Sequence, residues 1–324
     1  MDAFHDDDLL VTTKTGIVRG SLDGNTRRWL GIPYAADPVG DLRFRSPRPH
    51  DAWSGVRDAL EFGDIAPQVP TKVMPIPPGV EISESCLNLN VWVPQSKAEP
   101  RPVMLWIHGG AYFVGFSAQR MYNARPLCEA SDAIIVTINY RLGALGFLGE
   151  GNWGTLDQIC GLQWVRDHIA AFGGDPGNVT IFGESAGAMS VSLLLAMPAA
   201  KGLFHRAVAE SGALSAARTP EHAVKDADEF LGRAGATEAV QAEHASHQGF
   251  LRATVGQPRA RTMSLAEIHW RLGDRFKLLR GSGRGIERHQ VGQRPGFLRR
   301  APAPRQADVD VDEHVGMRRG RHFD

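Results

Sequence analysis

Residues 178–197 read NVTIFGESAGAMSVSLLLAM, and the reading of this stretch decides the fold. Val179 to Phe182 form a mostly apolar run with three β-branched members, which suits a strand buried on both faces. From Ala188 the run AMSVSLLLAM reads as a buried helix that stops before Pro198. Between them stands Gly183-Glu184-Ser185-Ala186-Gly187. A strand that turns into a helix within so few residues needs small neighbours at the turn, and Gly183, Ala186 and Gly187 supply them.

Working outward, the same logic repeats. PVMLWIHGG (102–110) and AIIVTINY (133–140) are further apolar runs. LDQICGLQWVRDHIAAF (156–172) places Leu156, Ile159, Leu162, Val165 and Ile169 at helical spacings before Gly173-Gly174. FHRAVAESGA (204–213) reads as another strand, and EHAVKDADEFLGRAGA (221–236) as an amphipathic helix with a glycine stop. Strand, helix, strand in this order predicts an α/β class with right-handed crossovers and a mostly parallel sheet. Upstream, GIVRGSL (16–22) and RRWLGIPYA (27–35) predict short strands of an antiparallel N-terminal β region. VMPIPPGVEISES (73–85) predicts a loop, and LNLNVWVP (87–94) an alternating strand ended by Pro94.

Bulk properties exclude several classes. The 324 residues carry 36 basic and 36 acidic side chains, a net charge of +0, so no bulk field draws nucleic acid. The three cysteines, Cys86, Cys128 and Cys160, are odd in number and widely spaced, which predicts buried thiols rather than a disulfide framework or a metal site. The acidic start MDAFHDDDLL is unlike a secretory leader, and no run is long enough to span a membrane, so a cytoplasmic protein is expected.

The serine turn gains meaning from its setting. Gly-x-Ser-x-Gly between a strand and a helix is the pattern of a nucleophile elbow, with helix N–H groups aimed at the serine. A second motif, WIHGGAY (106–112), ends another strand in small residues, as required where backbone N–H donors approach an oxyanion. The alternative for each motif alone is a glycine-rich turn that only packs tightly.

Taken together, these blocks resemble the type B carboxylesterases, the cholinesterase-like branch of the α/β-hydrolases. FGGDPGNVTIFGESAG (172–187) is similar to the family's active-site signature, and ESCLNLNVWVP (84–94) to its second signature, with departures at Ser85 and Asn88. WIHGGAY, NYRLGALGFL (139–148) and GNWGTLDQICGLQWVRDHIAAFGGDP (151–176) also look like family blocks, so the likeness covers about residues 10 to 235. The resemblance implies Ser185 as nucleophile, N–H groups of Gly110, Ala111 and Ala186 as the oxyanion hole, and Glu184 as a buried carboxylate facing the site. A plain structural role for Glu184 is the alternative. It makes His108 structural and leaves Trp106 and Trp153 to core or pocket wall. It implies a small-molecule ester as substrate, no cofactor or metal, and no nucleic-acid or membrane partner; the oligomeric state stays open.

The departures shape the rest. No cysteine precedes Cys86, so the disulfide of secreted relatives is not expected. No tryptophan stands in PIPPGVEISES, which argues against choline esters. In the family the acid follows the serine by roughly a hundred residues or more and the histidine by about two hundred, which implies a C-terminally truncated, incomplete domain. Residues 1–250 are expected to form its nucleophile-bearing part. Residues 251–324, arginine-rich and aperiodic, are expected to be a poorly ordered tail without a recognisable motif, consistent with out-of-frame reading of a GC-rich gene. Glu287, Asp308, Asp310, Asp312, Glu313, His269, His289, His314 and His322 stand there without a motif. A catalytically dead binding relative and a nucleic-acid arm are the competing classes; the retained Ser185 weighs against the first and the interspersed acids against the second.

Overall fold

A computed structural model describes residues 9–95, 100–148, 151–212 and 219–234. The expected tail at 251–324 lies outside the described residues. The N-terminal strands are β1 (Leu10–Thr12), β2 (Ile17–Arg19), β3 (Ser21–Asp23), β4 (Thr26–Pro33) and β5 (Val56–Asp58). There follow β6 (Asn88–Pro94), β7 (Arg101–Ile107), α1 (Arg125–Ser131), β8 (Ile134–Ile138), α2 (Gly143–Phe147) and α3 (Trp153–His168). The last described elements are β9 (Gly174–Glu184), α4 (Ala186–Ala196), β10 (Arg206–Glu210) and α5 (Pro220–Ala234).

Among the described residues, seven strands form one sheet in the order β10-β9-β7-β8-β6-β4-β3, and β1-β2-β5 form a small second sheet. The half of the large sheet from β10 to β8 is parallel, and the half from β8 to β3 is antiparallel. Three pairings of each kind make the described sheet evenly mixed, with the parallel half built from the apolar runs after residue 100. Helices alternate with these strands because parallel neighbours need a crossover.

The core is aliphatic where two faces are covered. All five residues of β8, Ile134-Ile135-Val136-Thr137-Ile138, are buried. β6 departs from its expected alternation, since every residue from Asn88 to Pro94 is buried. Its polar members are satisfied internally. Asn90 Nδ2 donates to Ser117 Oγ and Thr137 Oγ1, both at 3.0 Å, and Asn90 Oδ1 accepts from Gly31 N at 2.9 Å. A buried amide with these partners avoids the desolvation cost that an unpaired one would carry.

α3 is buried well beyond its apolar stripe, taking Asp157 and Gln158 inside as well. Arg141 meets Asp157 in a two-pronged ion pair at 2.8 and 2.7 Å, and the Arg141 N–H donates to the same carboxylate at 3.0 Å. Burial pushes the Asp157 carboxyl up, against the pull of the guanidinium. α4 is buried on one side only, with Leu195 exposed on the other. All three cysteines are free and buried, and burial pushes the Cys128 and Cys160 thiols up to about 12.

Candidate active site

Strand register places the two sequence motifs side by side. β7 lies between β8 and β9, with Ile107 opposite Ile138 on one side and Gly183 on the other. The chain therefore leaves β7 into His108-Gly109-Gly110 where β9 delivers Glu184 and Ser185. This is the carboxyl edge of the parallel strands, where open α/β sheets place their ligands.

Ser185 has φ 55 and ψ −118, between β9 and the first residue of α4. A non-glycine residue there is strained and must be held by its surroundings. The hold is visible on both sides. Ser185 N donates to Glu210 O of β10 at 2.9 Å, and Ser185 O accepts from Met189 N at 3.0 Å. The flanking glycines are required by close backbone approach. A Cβ on Gly187 would lie 2.0 Å from Ile107 O, and one on Gly183 would lie 2.7 Å from the same oxygen. Ser185 is half-buried.

Across from it runs the loop 108–117. A Cβ on Gly109 would come within 3.3 Å of Ser185 Cβ and 2.7 Å of Glu184 O, so the loop passes directly against the serine turn. Gly110 has φ 113, and Ala111 and Tyr112 have φ 54 and 63, three left-handed residues in succession. Phe113 N and Val114 N both turn back to Gly110 O, at 3.0 and 3.1 Å. Among the described residues no hydrogen bond engages the N–H of Gly110 or Ala111, and Ala186 opens α4, where N–H groups lack intrahelical partners.

Several side chains that sequence reasoning missed fix this loop. Gln68 grips Gly115 twice, accepting from its N–H at 2.9 Å and donating to its carbonyl at 3.0 Å. Asn139 Oδ1 accepts from Ser117 N at 2.7 Å, and Tyr140 OH donates to His108 O at 2.7 Å. Tyr112 OH meets Ser190 Oγ of α4 at 3.1 Å. No periodicity singles these residues out, because each acts across a sequence separation of many residues.

The remaining expected residues take these places. His108 is buried, stacked on Tyr140 with centroids 4.4 Å apart, and its Nδ1 lies 2.8 Å from Gly109 O. Burial lowers its imidazole to about 4, so it is neutral at ordinary pH. Glu184 differs from expectation in burial: it is half-buried rather than enclosed, at the carboxyl end of β9 beside Gly109. Trp106 packs between Tyr122 and Phe182, at 5.0 and 4.9 Å, next to the serine turn. Trp153 packs on Phe44 at 5.4 Å, in a separate cluster with Leu145 and Phe230. Among the described residues no group of His, Cys, Asp or Glu could hold a metal, and no helix is long and apolar enough to cross a membrane.

The Carboxylesterase family matches residues 7–257. This chain belongs to the carboxylesterase family. Over 233 residues it is 46% identical to the para-nitrobenzyl esterase of Bacillus subtilis, a match covering 68% of this chain and 47% of that protein. Over 235 residues it is 43% identical to a cholinesterase of Mus musculus, covering 67% of this chain and 39% of that one. Among solved structures, a thermophilic PNB esterase superposes with a TM-score of 0.73 at 42% identity, over 76% of this chain and 53% of the other. The fold is therefore that of the carboxylesterases, an α/β-hydrolase. The chain spans about half the length of the carboxylesterases it matches.

Proposed function

We propose that the protein hydrolyses small carboxylic esters through an acyl-enzyme on Ser185. The observation that carries this reading is the strained serine at φ 55 with the Gly109–Ala111 loop lying against it. Ser185 Oγ attacks the ester carbonyl and loses its proton to a general base. The carbonyl oxygen, now an oxyanion, takes hydrogen bonds from the N–H groups of Gly110, Ala111 and Ala186, each worth roughly 3–4 kcal/mol in the transition state. Collapse expels the alcohol with a returned proton, and water then releases the acid and regenerates the serine. No cofactor enters this chemistry. Glu184 lies beside Gly109 at the margin of the site.

The base and its carboxylate partner stay unassigned. His108 is turned into the core and bonded to Gly109 O, so it does not fill the role. Loss of the base in such a triad costs on the order of 10⁶ in turnover, while roughly 10³ over water survives through oxyanion stabilisation. Labelling with a fluorophosphonate probe therefore tests the reading directly. Wild type should label and Ser185→Ala should not, with the two circular dichroism spectra superimposable. Folded wild-type protein that stays unlabelled overturns the proposal.

A further inference from the structure

The loop 110–112 is an unfavourable piece of backbone. Ala111 and Tyr112 both have positive φ, and each left-handed non-glycine residue costs roughly 1 kcal/mol or more. Such a turn persists only where contacts over-determine it, and the contacts of Tyr112 are specific. Its carbonyl accepts from Gly143 N at 2.7 Å. Its ring stands edge-on to Phe147, with centroids 4.9 Å apart. Its hydroxyl reaches Ser190 Oγ at 3.1 Å, and Gln158 Nε2 donates to the same Oγ at 3.0 Å. Ser190 and Gln158 are fully buried.

Ser190 is one helical turn beyond Ala186 in α4, so the two share a face of the helix. The hydroxyl pair thus joins the strained turn bearing Gly110 and Ala111 to the helix that Ala186 opens. We propose that Tyr112 is a positioning residue, whose hydroxyl bond to Ser190 holds the three oxyanion donors in one fixed arrangement. The inference rests on the acyl-enzyme reading for its chemical consequence. Burial raises the Tyr112 phenol, so it stays protonated and able to donate or accept throughout the neutral range.

Tyr112→Phe keeps the ring and its contact with Phe147 and removes only the hydroxyl. Two readouts are taken on the full chain. The first is amide hydrogen exchange of residues 109–114, which does not depend on any activity. The second is the rate of fluorophosphonate labelling as a function of probe concentration. Loss of one hydrogen bond should speed exchange in the segment about five- to tenfold. It should slow labelling at saturating probe by a similar factor and leave the half-saturating concentration unchanged. Ser190→Ala removes this bond together with the one from Gln158, so it should show both effects at least as strongly, and adding Tyr112→Phe to it should change nothing further. Wild-type exchange in Tyr112→Phe overturns the clamp. Faster exchange with an unchanged labelling rate overturns the positioning role. A wild type that does not label sinks the acyl-enzyme reading instead, and the exchange comparison then decides the clamp alone.

Discussion

At the turn after β9, glycine is required by an oxygen atom rather than by flexibility. A methyl on Gly187 would sit 2.0 Å from Ile107 O and 3.2 Å from His108 C, both backbone atoms that cannot rotate away. Gly161, inside α3, offers the contrast, for a Cβ there meets only Ile138 methyl carbons at 3.4 and 3.5 Å. Thermal unfolding should therefore separate the two alanine variants sharply. Gly187→Ala is expected to lose about 3 kcal/mol or more by forcing β7 and α4 apart. Gly161→Ala is expected to be neutral or to gain up to ~1 kcal/mol from helix propensity. Equal melting temperatures for the two would sink the close-approach argument. The need for small residues around Ser185 was legible in the sequence, because a strand-to-helix turn admits nothing else. The atom that imposes it was not, since Ile107 is nearly eighty residues away in the chain.

Among the elements, the loop 108–117 depends most on residues outside itself. Gln68 satisfies both the N–H and the C=O of Gly115 and also donates to Ala66 O at 3.0 Å, all within the interior. Gln68→Ala would leave the Gly115 groups buried without partners. Urea denaturation should register a loss of about 2–4 kcal/mol, and labelling of Ser185 should slow as the loop loosens. A midpoint within error of wild type would contradict this account. The WIHGGAY motif told where such a loop begins. That a glutamine from the proline-flanked segment near residue 68 grips its far end is invisible to pattern reading. Strands behaved similarly: the apolar runs announced β7, β8 and β9, whereas the alternation of β6 did not tell that Asn90 is enclosed by Ser117, Thr137 and Gly31.

For the molecule as a whole, the buried His108 couples stability to acidity. Its folded value is about 4, against the ordinary 6.5 expected once the chain unfolds. Between those values the unfolded chain binds a proton that the native protein refuses, so stability is full above about pH 6.5 and declines as pH falls toward 4. The loss amounts to roughly 3 kcal/mol across that window. Urea midpoints at about pH 7.5 and 4.5 should converge in His108→Gln compared with wild type; an equal drop in both would rule this out. The class of the fold and the family were legible at this scale because several blocks agreed. The even division of the sheet into parallel and antiparallel halves was not, because register depends on pairings between distant segments.

The strand order also has a meaning in time. β7 finds its neighbour β8 soon after both are made, but its other edge waits for β9, which is synthesised roughly seventy residues after β7 ends. At ordinary elongation speeds that interval lasts several seconds. Throughout it, β7 lacks its β9 partner, so the N–H and C=O groups along that edge stand unpaired beside the apolar side chains of Leu105, Trp106 and Ile107. The strand that carries the oxyanion loop is thus also one whose second edge is closed late in synthesis.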